Sequence, residues 1–225
     1  MSKTVIFFLS LCVAVTCYAN EVATKGAEVG KWTMDVDAAY KLAKQKQLPI
    51  LMNFTGSDWC GWCKLMDKNV FAENSWQTYA QKNLVLVTID FPSNPNIVPE
   101  EYKQRNKKLQ EKYGVRGYPT YVLLNKSQEA IAQLGAGKEK TAESFRGEID
   151  AAIHLSPAGI EATLKKLSGE QRKQYKALLK KNLEINDSLE KWISTRPERN
   201  EANLKKYNQF VAKITAIEKE LKKYW

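Results

Sequence analysis

Two cysteines, Cys60 and Cys63, lie between an apolar run and a helical pattern. Residues 48–54 have the composition of a buried strand, and residues 61–82 carry apolar side chains at helical spacing. The pair is therefore expected at a strand-to-helix turn, where two intervening residues allow a small disulfide ring. The helix N-terminus would favour the thiolate of Cys60. This placement favours a redox-active dithiol over a structural bridge.

The first 155 residues predict alternating helices and strands, an α/β pattern. Besides the elements around the cysteines, the sequence predicts helices over 36–45, 100–113 and 140–153, a strand over 84–90 and a hairpin with strands over 121–124 and 130–134. A helix connects the strands at 48–54 and 84–90, so these two strands should be parallel. At 225 residues and 44% apolar content, the chain has room for one such domain and a smaller appendage.

Three segments together resemble the thioredoxin superfamily over about residues 31–155. They are Trp59-Cys60-Gly61-Trp62-Cys63 after a strand, Gly117-Tyr118-Pro119-Thr120 before a later strand, and Gly135-Ala136-Gly137 before the last helix. Residues 53–64 are more similar to exported thioredoxin-like proteins, including the periplasmic reductase domain of the transmembrane thiol:disulfide interchange protein, than to cytosolic thioredoxin. The resemblance implies a thioredoxin-like fold, with a central mixed sheet flanked by helices. It also implies thiol:disulfide oxidoreductase activity with no cofactor beyond the Cys60–Cys63 disulfide.

The resemblance implies roles for individual residues. Cys60 would be the exposed nucleophile that forms a mixed disulfide, and Cys63 the buried thiol that resolves it. Pro119 would be cis, and the backbone at Tyr118 would pair with a substrate chain. The substrate groove around the sulfurs would be formed by Trp59, Gly61, Trp62, Tyr118, Pro119, Gly135 and Ala136. The Gly61-Trp62 dipeptide does not fix the direction of electron flow, so reductase and isomerase both stay open.

One position departs from the family pattern. Thioredoxins carry a buried aspartate on the strand before the dithiol, which assists proton transfer from the resolving cysteine, and the matching residue here is Asn53. An amide cannot accept that proton. Water or a nearby carboxylate would have to do so, and Asp58 is the local candidate, although it is also read as a solvated loop residue.

The first residues have the pattern of an export signal. Lys3 precedes an apolar run over residues 5–15, and a small-residue site follows near Ala19. Cleavage there would define a signal peptide over 1–19, leave Cys60 and Cys63 as the remaining cysteines, and place the protein in the periplasm or outside the cell. Lipidation of Cys17 is the alternative. The expected partners are protein thiols and disulfides and a membrane-bound or soluble redox partner.

Residues 156–225 predict a separate all-helical extension. Ser156-Pro157 begins one helix, Ser168 with Gln171 resembles a capping box, and Pro197 separates two further helices. The last helix has an apolar seam of Tyr207, Phe210, Ile214, Ile217, Leu221 and Tyr224. This seam requires a partner helix. An intramolecular hairpin against Leu178, Ile185, Leu189 and Trp192 is favoured over a homodimer through these helices or docking on a substrate protein.

The net charge of +10 comes mostly from this extension, where sixteen Lys and Arg face nine Asp and Glu after Leu155. The charges are spread along helices and carry no nucleic-acid motif, so solvated helix faces are expected and nucleic acid is not an expected partner. No zinc site is expected, because Cys60, Cys63 and His154 lack a fourth ligand. Metal or haem delivery through the same thiols, and a scaffold that presents the helical tail, remain alternative functions.

Overall fold

The computed structural model describes residues 22–225. The predicted signal peptide over 1–19, with Cys12 and Cys17, lies outside the described residues. Within residues 22–225, no helix combines the length and the apolar composition that crossing a membrane requires.

A five-stranded mixed sheet forms the centre of the fold. Its strands are β1 (Trp32–Thr33), β2 (Ile50–Thr55), β3 (Val85–Asp90), β4 (Thr120–Leu124) and β5 (Ala130–Gly135), in the order β1-β3-β2-β4-β5. As predicted, β2 and β3 are parallel, and β4 and β5 form an antiparallel hairpin. β2 also pairs antiparallel with β4, so the strand before the cysteines is central.

Helices cover both faces of this sheet. They are α1 (Val36–Lys46), α2 (Gly61–Met66), α3 (Asn74–Asn83), α4 (Glu100–Lys112) and α5 (Ala142–His154). All residues of β2 and β3 are buried, which explains why both strands read as continuous apolar runs. Leu51 lies in a core with Phe71, Trp76 and Phe145, and its neighbour Met52 lies in the opposite core.

The prediction of one continuous helix over 61–82 is wrong. The chain forms α2, then a π-helical segment at Asp67–Phe71, and then α3 after a break. The N–H of Ala72 donates to the carbonyl oxygen of Asp67 at 2.8 Å, five residues back, which widens the turn. Phe71 and Trp76, five residues apart, are then both buried in one core. Strand β1 was not predicted either, because its two residues are too few for a periodic pattern.

The extension contains the three predicted helices, α6 (Pro157–Lys166), α7 (Gly169–Ser194) and α8 (Glu201–Leu221), and ends in a 3-10 turn at Lys222–Tyr224. Pro157 occupies the first turn of α6 as expected. The prediction of a capping box at Ser168 is wrong, because the Ser168 side chain accepts no hydrogen bond from a backbone N–H at the start of α7. The positive φ of 49° at Gly169 gives the chain a left-handed entry to α7 instead.

α7 and α8 pack as an antiparallel hairpin. Tyr175 lies against Tyr224 with ring centroids 5.5 Å apart, and at the other end Trp192 lies 6.0 Å from Phe210. The seam predicted on α8 is therefore covered within the same chain, except at Tyr207, which is 42% exposed.

The base of the hairpin is fixed to the end of α5. Leu167, Tyr175 and Leu221 form a small buried core, against which Leu155 packs. The ring of His154 stacks on Trp225 with centroids 4.5 Å apart. The extension thus has its own apolar core directly beside the last helix of the sheet domain.

Candidate active site

The cysteines lie where β2 ends and α2 begins. Cys60 is the N-cap of α2, and its sulfur accepts a hydrogen bond from the N–H of Cys63 at 3.2 Å. The two residues form a disulfide, with Cα atoms 5.2 Å apart. The N–H of Cys60 is itself held by the carbonyl oxygen of Gly56 at 2.8 Å. The reacting sulfur is thus fixed at the positive end of a helix.

The expectation of an exposed Cys60 is wrong for this oxidised form. Cys60 is 4% exposed and Cys63 1%. Cys60 is buried because its sulfur is bonded to Cys63 and directed into the first turn of α2. The exposed surface here belongs to Trp59 and Trp62, which are 50% and 52% exposed, and to Gly61.

An aromatic cluster connects the dithiol loop to two other segments. The indole N–H of Trp59 donates to the carbonyl oxygen of Phe91 at 2.9 Å, and the Trp59 ring meets the Tyr118 ring edge-on at 5.8 Å. Phe91 stacks on Tyr118 at 5.3 Å, and Gln110 donates to the Tyr118 hydroxyl at 2.7 Å. A side chain at Gly56 would collide with the Trp59 indole, so glycine is required there.

Tyr118 begins the segment that enters β4. The peptide bond between Tyr118 and Pro119 is cis. Thr120, the first residue of β4, pairs with Gly135 at the end of β5, and Ala136 follows, packed on the core. The structure thus brings Trp59 and Tyr118 into contact and places Gly135 beside the residue that follows Pro119.

Asp58 is hydrogen-bonded to the loop after β3. Its two carboxylate oxygens accept hydrogen bonds from the N–H of Ser93 at 2.9 Å and of Asn94 at 2.8 Å. These two bonds hold the pKa of the Asp58 carboxyl below its usual range. With both oxygens occupied by amides of another loop, Asp58 serves as a structural clamp.

A buried polar patch lies on the sheet face below α2. Asn53, Thr55, Thr88 and Asp90 are all at most 6% exposed, and parallel pairing sets Asn53 beside Thr88 and Thr55 beside Asp90. On the other side, Asn53 pairs with Tyr121. Within residues 22–225, neither the Asn53 Oδ1 nor the Tyr121 hydroxyl has a hydrogen-bond partner.

Asp90, the last residue of β3, was not predicted from the sequence. One of its carboxylate oxygens accepts from the N–H of Ser57 at 2.9 Å and the other from the Ser57 hydroxyl at 2.6 Å. Burial raises the pKa of Asp90 in spite of these donors. Its only sequence signal was a charged residue ending an otherwise apolar run.

Asp67, in the π-helical segment, was also missed. Its N–H donates to the carbonyl oxygen of Cys63, four residues back. Asp67 keeps one side exposed, but partial desolvation first, and the Asp90 charge second, raise the pKa of its carboxyl to about 6. The spacing of four from Cys63 was the signal that could have identified it.

Within the described part of the chain, no group of three or more His, Cys, Asp or Glu side chains could hold a metal ion. His154 lies in the stack with Trp225 at the base of the extension, where burial lowers its pKa.

A family model described as a thioredoxin-like domain matches residues 36–153, just over half of the chain. The chain belongs to the thioredoxin-like family. Two curated relatives of this thioredoxin-like chain come from Chlamydia pneumoniae. The protein named disulfide bond reductase DsbH is 36% identical over 97 residues, 43% of this chain and 58% of its own. The thioredoxin-related protein DsbJ is 27% identical over 114 residues, 51% of this chain and 32% of its own.

A solved structure named DsbH oxidoreductase shares the thioredoxin-like fold. It superposes with a TM-score of 0.52 at 29% identity, covering 58% of this chain and 88% of that one. The chain spans less than two thirds of the length of both curated relatives. The match therefore concerns the thioredoxin-like part and not the whole of either protein.

The thioredoxin-like site has the parts that disulfide exchange needs. A thiolate at Cys60 would be stabilised by the N–H of Cys63 and the start of α2, and Cys63 is within bonding distance of the same sulfur. The exposed indoles of Trp59 and Trp62 offer an apolar surface on which another polypeptide can lie.

Proposed function

We propose that the protein is a thiol:disulfide oxidoreductase that reduces disulfides of other proteins through Cys60 and Cys63. The observation that carries this proposal is the position of Cys60, whose sulfur caps α2 and accepts the N–H of Cys63. The name of the relative DsbH, disulfide bond reductase, supports the reducing direction.

The proposed reaction begins with the reduced dithiol. The Cys60 thiolate attacks a substrate disulfide, forms a mixed disulfide and releases one substrate thiolate, which takes a proton. Cys63 then loses its proton and attacks the Cys60 sulfur, forming the Cys60–Cys63 bond and releasing the second substrate thiolate. Two electrons pass from the dithiol to the substrate, and no cofactor besides the disulfide is needed. A protein redox partner would restore the dithiol.

The direction of electron flow is tested by the reduction potential of the pair. The protein would be equilibrated with glutathione buffers and followed by tryptophan fluorescence, because Trp59 and Trp62 flank the sulfurs. A potential of about −270 mV is expected for a reductase. A value of about −180 mV would indicate an isomerase instead.

Exchange itself is tested by two serine variants. Cys63→Ser should accumulate a mixed disulfide with a substrate protein, because Cys60 can attack but the product cannot be released. Cys60→Ser is the matched control, which should trap nothing and turn over nothing. If Cys63→Ser and Cys60→Ser behave alike, the proposed division of roles is wrong.

The proposal includes an exported protein, with residues 1–19 as a cleaved signal peptide and residues 156–225 as a helical appendage to a domain at 20–155. Mass spectrometry of the mature protein from its native cell would test the cleavage near Ala19. A homodimer through the extension would use apolar side chains that the hairpin leaves exposed, such as Leu204, Tyr207 and Val211, since α7 covers the rest of the α8 seam. Sedimentation velocity with and without Leu204→Ser would test that contact.

A further inference from the structure

Cys63 needs a proton acceptor if the proposed exchange reaction is correct. The residue is 1% exposed, so bulk water does not reach its thiol freely. Only the thiolate attacks a disulfide. Asn53, on the adjacent strand, has an amide side chain and cannot take the proton.

Three carboxylates lie around the dithiol, and two of them are engaged elsewhere. Asp58 holds the N–H groups of Ser93 and Asn94. Asp90 holds Ser57 with both of its oxygens. Asp67 remains, and no hydrogen bond or ion pair to its carboxylate is seen within residues 22–225.

Asp67 is positioned by the same helical stretch that carries Cys63. The backbone hydrogen bond from Asp67 to Cys63 sets the two residues four apart, and side chains at that spacing lie on one helix face with Cβ atoms about 6 Å apart. Cys63, Met66 and Val70 form the buried side of this stretch, whereas Asp67 lies at its edge, with one side exposed to solvent and the other partly desolvated. Asp67 is therefore placed between the buried thiol and solvent.

Two unpaired polar atoms mark a polar pocket on the same side of the sheet. The Asn53 Oδ1 and the Tyr121 hydroxyl belong to paired residues of β2 and β4, so they lie on one face. The π-helical segment that begins at Asp67 packs on this pocket, since its Phe71 ring lies 5.5 Å from the Tyr121 ring, and the Asp67 charge acts on the Tyr121 phenol. Buried polar atoms of this kind are ordinarily satisfied by an internal water, which can also carry a proton.

We infer that Asp67 accepts the proton of Cys63 when the mixed disulfide is resolved, through a water held by Asn53 and Tyr121. The S–H bond of Cys63 breaks and its proton passes to the Asp67 carboxylate. The thiolate then forms the bond to the Cys60 sulfur, and the substrate sulfur leaves as a thiolate. Asp67 afterwards releases the proton to solvent, or to the leaving thiolate.

The surroundings of Asp67 suit this role. Partial desolvation of this edge residue and the Asp90 carboxylate of β3 raise its pKa to about 6, so it is ionised at neutral pH and still basic enough to take a proton. The other titratable group that faces it is Tyr121 of β4, whose own pKa is raised by burial first and by Asp67 second.

The two steps of exchange can be timed separately with the reduced protein and one equivalent of an aryl disulfide such as dithionitrobenzoate. Attack by Cys60 releases the first nitrothiobenzoate, and attack by Cys63 releases the second. Asp67→Asn should slow the second release at neutral pH by about tenfold or more and leave the first unchanged. In the unaltered protein the second rate should rise with pH through about 6, and Asp67→Asn should remove this rise.

Matched variants separate proton transfer from a structural effect. Asp67→Glu should restore much of the second rate, and Asp187→Asn, an exposed site on α7 with the same change of charge, should change neither step. Tyr121→Phe should slow the second step as well, without affecting the first. An unchanged second release in Asp67→Asn would overturn the inference, and so would equal slowing of both steps. Failure of the unaltered protein to release two equivalents would instead refute the proposed function.

Discussion

The indole nitrogen of Trp59 donates a hydrogen bond to the carbonyl oxygen of Phe91, 2.9 Å away. This bond joins the loop after β2 to the loop after β3. Parallel pairing brings both loops to the same edge of the sheet, with Thr55 beside Asp90. Asp58 adds two more bonds between the same loops, so the surface beside Cys60 is built from two segments more than thirty residues apart.

Trp59→Phe should destabilise the oxidised protein by about 1 kcal/mol, because a smaller aromatic ring remains but the indole N–H that bonds Phe91 is lost. Guanidinium unfolding followed by circular dichroism would measure the change. Trp62→Phe is the matched control, since Trp62 is equally exposed and no such bond from it is seen within residues 22–225. Equal losses in the two variants would show that the bond contributes nothing.

Asp58→Asn should cost stability at neutral pH and progressively less in acid. The pKa of Asp58 is lowered in the folded protein, so its contribution is present above its unfolded value of about 4 and is lost as the pH falls through the lower folded value. Unfolding midpoints of the two oxidised proteins, measured at a series of pH values, should differ less as the pH falls. A difference in midpoint that stays constant with pH would mean that ionisation of Asp58 does not contribute to stability.

Ser57→Ala should destabilise the protein by about 1.5–3 kcal/mol at neutral pH, because the buried Asp90 carboxylate loses a charge-assisted hydrogen bond. Burial already raises the pKa of Asp90, and loss of this donor should raise it further, so the cost should shrink at acidic pH, where Asp90 is protonated. Chemical denaturation at two pH values would measure both effects. Ser127→Ala, at an exposed turn, should change little.

Leu221→Ala should destabilise the protein by about 2–5 kcal/mol, because Leu221 is fully buried at the base of the helical hairpin. Leu204→Ala makes the same change on α8 at a residue that is 60% exposed, and it should cost less than about 0.5 kcal/mol. Thermal unfolding would compare the two. The reduction potential of Cys60 and Cys63 should be unchanged in both, and a shift in Leu221→Ala would reveal coupling between the extension and the dithiol.

Much of the fold could be predicted because its strands are apolar runs bounded by turn residues. The runs around residues 50 and 87 are buried on both faces, and their helical connection required parallel pairing. The break in the helix after Cys63 could not be predicted from periodicity. The π-helical turn keeps both Val70 and Phe71 in the core, so the apolar pattern shows no interruption there. Ser168 shows a similar limit, since the left-handed Gly169 replaced the cap that its sequence suggested.

The candidate site was predicted only where a short sequence pattern carried it. Cys60, Cys63 and Pro119 belong to such patterns. Asp67 and Asp90 do not, because their significance depends on strand register and on which helix face is buried. Asp58 was predicted as either a proton-transfer candidate or a solvated loop residue, and its two amide partners lie 35 and 36 residues away and have no local signal.

The sulfur of Cys60 accepts a backbone hydrogen bond in addition to taking part in disulfide exchange. It is the acceptor for an amide in the first turn of α2, and a thiolate is a stronger acceptor than a disulfide sulfur. Each redox cycle therefore strengthens and weakens one hydrogen bond of the helix backbone. The amide proton of Cys63 is for this reason a built-in spectroscopic reporter, whose chemical shift should follow the oxidation state of the protein without any added label.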